Sequence, residues 1–202
     1  MIAIIDYDAG NLKSVQKALT LLGQPSVITR ERKEILQADH VILPGVGAFG
    51  DAMKQLKKYE LDRVTCEVAE KQTPLLGICL GQQLLFEGSE EGAGVEGLGL
   101  LKGSVVRFSA EHGLKIPHIG WNSLELQNDG RLYREIAQGA YVYFVHSYYL
   151  QAEEEETVKA TASYGVTVHA SVEKEQLFAC QFHPEKSGEV GLQILKNFAA
   201  LS

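Results

Sequence analysis

Residues 75–83 read Leu-Leu-Gly-Ile-Cys-Leu-Gly-Gln-Gln. Leu75 to Ile78 is an apolar run of strand length, and the spacing from Leu80 to Glu87 predicts a helix. A strand that hands over to a helix through a turn with Gly77 and Gly81 around Cys79 has the form of a nucleophile elbow, a strained turn that lifts one side chain above a sheet. The glycines matter sterically, because a Cβ at either place would crowd the turn. This stretch sets the reading of the rest: the strand belongs in a sheet covered on both faces, with chemistry at its carboxyl end.

Working outward, the first half repeats the same alternation. Ile2 to Asp6 reads as a buried strand. Asn11 to Leu22 carries apolar residues at Leu12, Val15, Ala18, Leu19 and Leu22 and is stopped by Gly23, which is helical spacing with a helical stop. Val41 to Leu43 is a second apolar run, ending in Pro44-Gly45. Ala48 to Lys58 and Leu61 to Gln72 read as helices. Nearly continuous apolar strands separated by helices imply a parallel, doubly wound α/β sheet. The second half is β-rich over 105–108, 142–145, 158–162, 166–172 and 177–182, with turn signals at Asn128-Asp129-Gly130 and Tyr164-Gly165. These are expected to add antiparallel strands to a mostly parallel sheet. An amphipathic helix from Glu189 to Ala200 closes the chain.

The 202 residues carry 19 Lys and Arg against 26 Asp and Glu, a formal net charge of −7, and 45% of them are hydrophobic. The apolar fraction excludes a disordered chain. The acidic balance argues against a non-specific nucleic-acid binder. The length suits one domain or two small ones, and the strand–helix pattern reads as one over residues 1–202; such a chain can bury roughly 70% of its unfolded surface without a disulfide or metal staple. Three cysteines, Cys66, Cys79 and Cys180, make no paired framework and no C-x-x-C, so no metal and no other cofactor is expected. The chain starts without a signal-peptide pattern, and no apolar run approaches the ~18 residues that span a bilayer. The expectation is a cytoplasmic protein with reduced thiols and no membrane contact.

Two segments invite a functional reading and do not carry one. Residues 92–97 match G-x-G-x-x-G, but a helix and an acidic stretch precede them and a Gly-rich loop follows, which is not the strand–turn–helix context of a dinucleotide site. Glu153 to Glu156 is expected to be a solvated loop, since four like charges repel.

Cys79 is the candidate nucleophile. It would stand just before a helix N-terminus, whose dipole favours a thiolate, with the Leu80 N–H directed at the same space as an oxyanion donor. Cys66 and Cys180 fit the commoner role of small apolar packing residues. A thiol nucleophile needs a base, and six histidines are available. His40 reads as structural, His112 as a loop residue and His169 as a strand residue on a polar face. His118 and His146 lie in aromatic segments that could line a pocket. His183 differs: it ends the run 177–182 and is followed by Pro184-Glu185. In extended geometry His183 and Glu185 face the same way, so the carboxylate can hold one ring nitrogen while the other faces the thiol, as in a triad.

Together, Gly-Ile-Cys-Leu-Gly followed by Gln82-Gln83 and the distant His-Pro-Glu resemble the class I, triad-type glutamine amidotransferases, over essentially the whole chain. Further marks resemble the branch that serves imidazole glycerol phosphate synthase: Asp6-Tyr7 with Gly10-Asn11-Leu12, Leu43 through Phe49, Pro117 through Asn122, Tyr143 through Tyr148, and His183 through Gly188. Asp8-Ala9 departs from that pattern, where Gly-Met is usual, and Gln82 stands where Met is common.

The resemblance implies a flavodoxin-like fold and a glutaminase. Cys79 would attack the amide carbon of glutamine, His183 would move the protons and Glu185 would orient it. An oxyanion hole would be formed by the amide of Leu80 with that of Val46 or Gly47. Gln83, one helical turn beyond Cys79, would bind the substrate's α-amino or α-carboxylate group, in a pocket completed by Gly47, His146, Ser147 and Tyr148. The partner implied is a separate cyclase of TIM-barrel fold, forming a heterodimer, with Asn11, Trp121, Asn122 and Lys186 as interface candidates; the plain alternative for Trp121 is a core residue. Service to another synthase (anthranilate, aminodeoxychorismate or pyridoxal phosphate), a scaffolding subunit and a cysteine peptidase are the competing readings.

Overall fold

The computed structural model describes residues 1–110, 113–127 and 130–202. The loop expected around His112 and the turn signal at Asn128-Asp129 lie outside the described residues. The chain runs β1 (Ile2–Ile5), α1 (Leu12–Leu21), β2 (Ser26–Thr29), α2 (Arg32–Leu36), β3 (His40–Gly45), α3 (Phe49–Lys58), α4 (Leu61–Glu70), β4 (Leu75–Cys79) and α5 (Leu80–Leu84). The second half continues with β5 (Gly88–Ser89), β6 (Gly103–Arg107), β7 (His118–Ser123), β8 (Glu125–Leu126), β9 (Tyr141–His146), β10 (Tyr148–Ala152), β11 (Val158–Ser163), β12 (Thr167–Lys174), β13 (Leu177–Cys180) and α6 (Gly188–Ala199).

An eight-stranded sheet in the order β2-β1-β3-β4-β13-β12-β11-β8 forms the centre. The pairings from β2 through β13 are parallel, and those from β13 out to β8 are antiparallel. The first five positions follow the doubly wound order in which the chain reverses direction beside β1. Alternate strand residues face opposite ways. Ala3, Val41, Leu43 and Leu75 pack under α2, α3 and α4 through Ile35, Phe49, Met53, Leu56, Val64 and Val68. Ile2, Ile4, Ile42, Leu76 and Ile78 pack under α1 and α6 through Val15, Leu19, Ile194, Leu195 and Phe198. Two smaller sheets, β10-β6-β5 and β7-β9, stand apart from the main one.

The helix predicted over Leu80–Glu87 stops at Leu84. The reason lies in the Gly-rich segment: Leu98 donates to the Leu84 carbonyl, Leu100 and Leu101 to that of Leu85, and Gly99 to that of Phe86, at 2.8 to 3.1 Å. A Cβ on Gly97 would lie 2.1 Å from the Phe86 oxygen. The last glycine of the G-x-G-x-x-G match therefore serves close backbone packing, and no helix follows it. Short β2 and α2, and β7 with Gly120-Trp121-Asn122 in its middle, gave no periodic signal and were not foreseen. The acidic run at 153–156 is mostly exposed, with Glu154 paired to Lys174.

The departure at Asp8 has a structural counterpart. Asp8 takes φ +66°, a left-handed conformation that glycine adopts freely. Here it is held by Arg30, which donates to Asp6 and Asp8 at 2.8 Å each, and by the Tyr59 hydroxyl. The Arg30 guanidinium also lies 4.3 Å over the Tyr59 ring.

Candidate active site

The elbow is built by backbone contact. Cys79 ends β4 and precedes α5 with φ +55° and ψ −110°, a combination that L-residues avoid unless their surroundings impose it. A Cβ on Gly81 would lie 1.8 Å from the Leu43 oxygen, and one on Gly77 would lie 2.7 Å from the Gly81 oxygen. Only glycine lets α5 start that close to β3 and β4. Gly45, paired with Cys79 across the sheet, is equally confined: its Cβ would meet the Tyr7 hydroxyl at 2.5 Å and the Leu80 Cβ at 2.9 Å. Tyr7 is buried and donates to the Pro44 carbonyl at 2.7 Å. Burial, and then the neighbouring Cys79, push its hydroxyl well above its usual range.

The candidate base is held by side chains. His183 lies beyond the end of β13 and is 2% exposed. Its Nδ1 donates to Glu185 Oε1 at 2.8 Å, and the Glu185 side chain is equally buried. The Ser187 hydroxyl donates to the His183 carbonyl at 2.6 Å, and the His183 N–H donates to the Tyr143 carbonyl. Nε2 is buried without an aligned hydrogen-bond partner. Burial alone would lower the affinity of His183 for a proton, but the Cys79 sulfur and the Glu185 carboxylate outweigh it and push the ring up to about 9. At neutral pH the proton therefore rests on the imidazole, ready for a leaving group.

Cys79, Leu80 and His183 open onto a cavity of about 310 Å³ that is also lined by Val46, Gly47, Gln83, Glu91, Pro117, Val145, His146, Ser147 and Tyr148. The structure thus brings to one cavity the residues expected for the nucleophile, the base, the oxyanion hole and the substrate pocket, with Glu185 behind His183. Gly47 has φ +102°, a conformation open to glycine at no cost. Gln83 is buried, and its Nε2 donates to the Tyr148 carbonyl at 3.2 Å and to Gln181 Oε1 at 3.0 Å. Its nitrogen is spent within the protein, so the acceptor Oε1 is what this amide has left for a ligand.

His118 and His146 form a buried pair, with His118 Nδ1 2.9 Å from His146 Nε2 and His146 Nδ1 2.8 Å from the Tyr148 oxygen. Burial drives His118 down to about 4; burial, and then the neighbouring His118 and His183, drive His146 down to about 3. Both rings are neutral across the physiological range. His40 is tied to the Leu201 carbonyl, and His169 accepts from the Ala152 N–H. Cys180 is fully buried in the core beside α6, and Cys66 is half-buried.

The four interface candidates lie outside the cavity. Trp121 is 55% exposed, so it is not a core residue. Asn11 and Lys186 are exposed, while Asn122 uses its amide on the Ser163 carbonyl and on His118. Pro117 and Val145 line the cavity without having been expected there, and two polar residues of the site were also missed in the sequence. Gln181, fully buried, donates from Nε2 to the Cys79 sulfur at 3.7 Å. It stands two residues before His183, so the same-face rule that joined His183 to Glu185 would have found it. Glu91 accepts from the Phe49 N–H at 2.9 Å and so anchors the start of α3 beside the 45–47 loop; nothing in its acidic context singled it out.

Comparison with known proteins agrees with this geometry. The family described as "Glutamine amidotransferase class-I" matches residues 3–201. The chain is 52% identical over 198 residues to the imidazole glycerol phosphate synthase subunit HisH of Oceanobacillus iheyensis, covering 98% of both chains. It is 54% identical over 200 residues to that of Moorella thermoacetica, covering 99% and 94%. The Bacillus subtilis protein of the same name is 50% identical over 206 residues, covering 100% and 97%. Among solved structures, a glutamine amidotransferase crystal structure superposes with a TM-score of 0.76 at 20% identity over the whole of both chains. PurLQS from Thermotoga maritima gives 0.74 at 20% identity, covering 98% and 96%; at that identity both likenesses speak for the fold. The chain belongs to the class-I glutamine amidotransferases, in the branch of the HisH subunits of imidazole glycerol phosphate synthase.

Proposed function

We propose that residues 1–202 form one glutaminase domain that supplies ammonia to an imidazole glycerol phosphate synthase. The observation that carries this reading is the placement of Cys79, on its strained elbow, in one cavity with His183, whose other ring nitrogen is bonded to Glu185. Cys79 Sγ attacks the side-chain amide carbon of glutamine, and the carbonyl oxygen becomes an oxyanion. Donors for it are the Leu80 N–H at the open end of α5 and an amide of the Val46-Gly47 loop. His183 gives its proton to the departing nitrogen, the C–N bond breaks and ammonia leaves. Water, deprotonated by His183, then attacks the thioester and releases glutamate. The Gln83 Oε1 suits the substrate's α-ammonium group, and the backbone from His146 to Tyr148 completes the pocket.

Free ammonia in water at neutral pH is mostly protonated and no longer nucleophilic, so the product has to be handed over under cover. The partner we infer is a separate cyclase chain of TIM-barrel fold, bound as a heterodimer in the cytoplasm. It would use the ammonia to make imidazole glycerol phosphate and an aminoimidazole carboxamide ribotide. Supporting this, Ile119, Trp121 and Tyr141 stand 59%, 55% and 58% exposed on the β7–β9 ribbon, and the neighbouring Pro117 and Val145 line the cavity. Exposed aromatics of this kind anchor interfaces. Glutamate release from glutamine, measured with and without a cyclase subunit and its ribotide ligand, tests the reading. Stimulation by the pair is expected; no hydrolysis under any of these conditions would refute it.

A further inference from the structure

The hydrogen bonds around Gln83 have a fixed direction, and that direction leads to the nucleophile. The Tyr148 carbonyl can only accept, so it is Gln83 Nε2 and the N–H of His146 Nδ1 that point at it. His146, neutral, then has Nε2 as its acceptor, which takes the Nδ1 proton of His118; His118 Nε2 in turn accepts from Asn122 at 3.4 Å. On the other side, Gln83 Nε2 faces Gln181 Oε1. That orients the Gln181 amide: its oxygen is occupied, and its nitrogen is what reaches the Cys79 sulfur at 3.7 Å. The main chain of Gln181 is pinned as well, its N–H donating to the Ala170 carbonyl at 2.8 Å.

From this geometry we propose that Gln181 is a positioning residue for the nucleophile: its buried amide holds the Cys79 sulfur in place and donates to its anion, latched by Gln83 and the Tyr148 carbonyl. This rests on reading Cys79 as the nucleophile and adds a second support to it. The sulfur then has two supports of different kind. His183 carries charge, and Gln181 contributes a neutral donor that pH does not remove. The titratable groups that face the sulfur are His183, with Glu185 behind it, the Tyr7 hydroxyl and the Cys180 thiol, while Glu91 lies across the cavity. Tyr7 and Cys180 are both pushed to stay neutral by burial, so Gln181 is the neutral donor the structure places on the thiol.

Gln181→Met keeps the length and removes the donor. Alkylation of Cys79 by iodoacetamide across pH, read on the Cys79 peptide by mass spectrometry so that Cys66 does not contribute, reports the thiolate directly. The pH of half-maximal alkylation is expected to rise by about one unit, with kcat for glutamine down about tenfold and KM changed less, as suits one hydrogen bond to a charged group. An unchanged alkylation profile with unchanged kcat would overturn the proposal. A wild-type Cys79 that shows no pH-dependent alkylation at all would overturn the nucleophile reading with it, whereas a normal wild-type profile that Gln181→Met leaves in place counts against Gln181 alone. Should Gln181→Met fail to fold, the side-chain amide signals of Gln181 in nitrogen-15-labelled wild type take its place. They should move when Cys79 is alkylated; signals that stay still would refute the contact.

Discussion

In the first half of the chain, Cys79 is where it is because the backbone has nowhere else to go. Gly77, Gly81 and Gly45 are confined by main-chain or Cβ atoms within 3 Å of where their own Cβ would be, and the strained dihedrals at Cys79 follow from that confinement. In the second half, His183 is where it is because side chains hold it. Glu185, Ser187 and the Tyr143 carbonyl of β9 take up its polar groups. The proposed nucleophile is a product of packing and the proposed base a product of hydrogen bonding, so the two should fail differently.

The sharpest way to break the comparison is Gly81→Ala. The added methyl meets the Leu43 oxygen, so α5 must leave the sheet; a loss of more than about 3 kcal/mol is expected, read as a collapse of the urea midpoint. A variant that kept its stability would show that the elbow is not held by packing. Glu185→Gln should do the opposite, keeping the fold while kcat falls on the order of 10²- to 10⁴-fold. It also carries a pH signature. His183 is held above its ordinary value, so its contribution to stability is full below about pH 6.5 and is lost as pH rises through about 9. Stability measured by urea unfolding across that range should fall in the wild type and fall less in Glu185→Gln.

The buried pair His118–His146 gives the reverse sign. Both rings are held below their ordinary values, so the stability they contribute is present above about pH 6.5 and lost as pH falls through it toward 4. Each ring contributes a slope of at most about 1.4 kcal/mol per pH unit. Urea midpoints at pH 7 and pH 5 test this, and His118→Gln should flatten the difference. The smallest effect is expected at Gln82. Its amide is wholly buried, with Nε2 bonded to the His169 carbonyl at 3.3 Å and Oε1 without a partner. Gln82→Met removes the orphaned oxygen and should raise stability by about 1 kcal/mol, read from the denaturant midpoint at unchanged slope.

The same contrast explains what could be read in advance. The parallel strands β1, β3 and β4, the helices α1, α3, α4 and α6 and the elbow were legible because packing writes itself into apolar runs and glycine spacing; β13, expected among the antiparallel additions, instead pairs parallel to β4. Leu75 to Ile78 and Gly77-x-x-x-Gly81 needed no knowledge of distant partners. His183 and Glu185 were legible because a spacing of two in extended chain is local as well. The Gln181–Gln83 contact joins residues 98 apart in the chain, and the His118–His146 pair is made by the register of β7 with β9; neither leaves a local trace. The length of α5 was misjudged for a similar reason, since the carbonyls that end it are taken by residues 98–101.

Glutamine hydrolysis by the Cys79→Ala variant, in complex with the cyclase subunit, tests the central claim most directly. The account predicts that hydrolysis falls at least about 10³-fold, as when a triad nucleophile is removed, while the unfolding midpoint stays close to that of the wild type. Hydrolysis that persisted in a folded Cys79→Ala protein would contradict it.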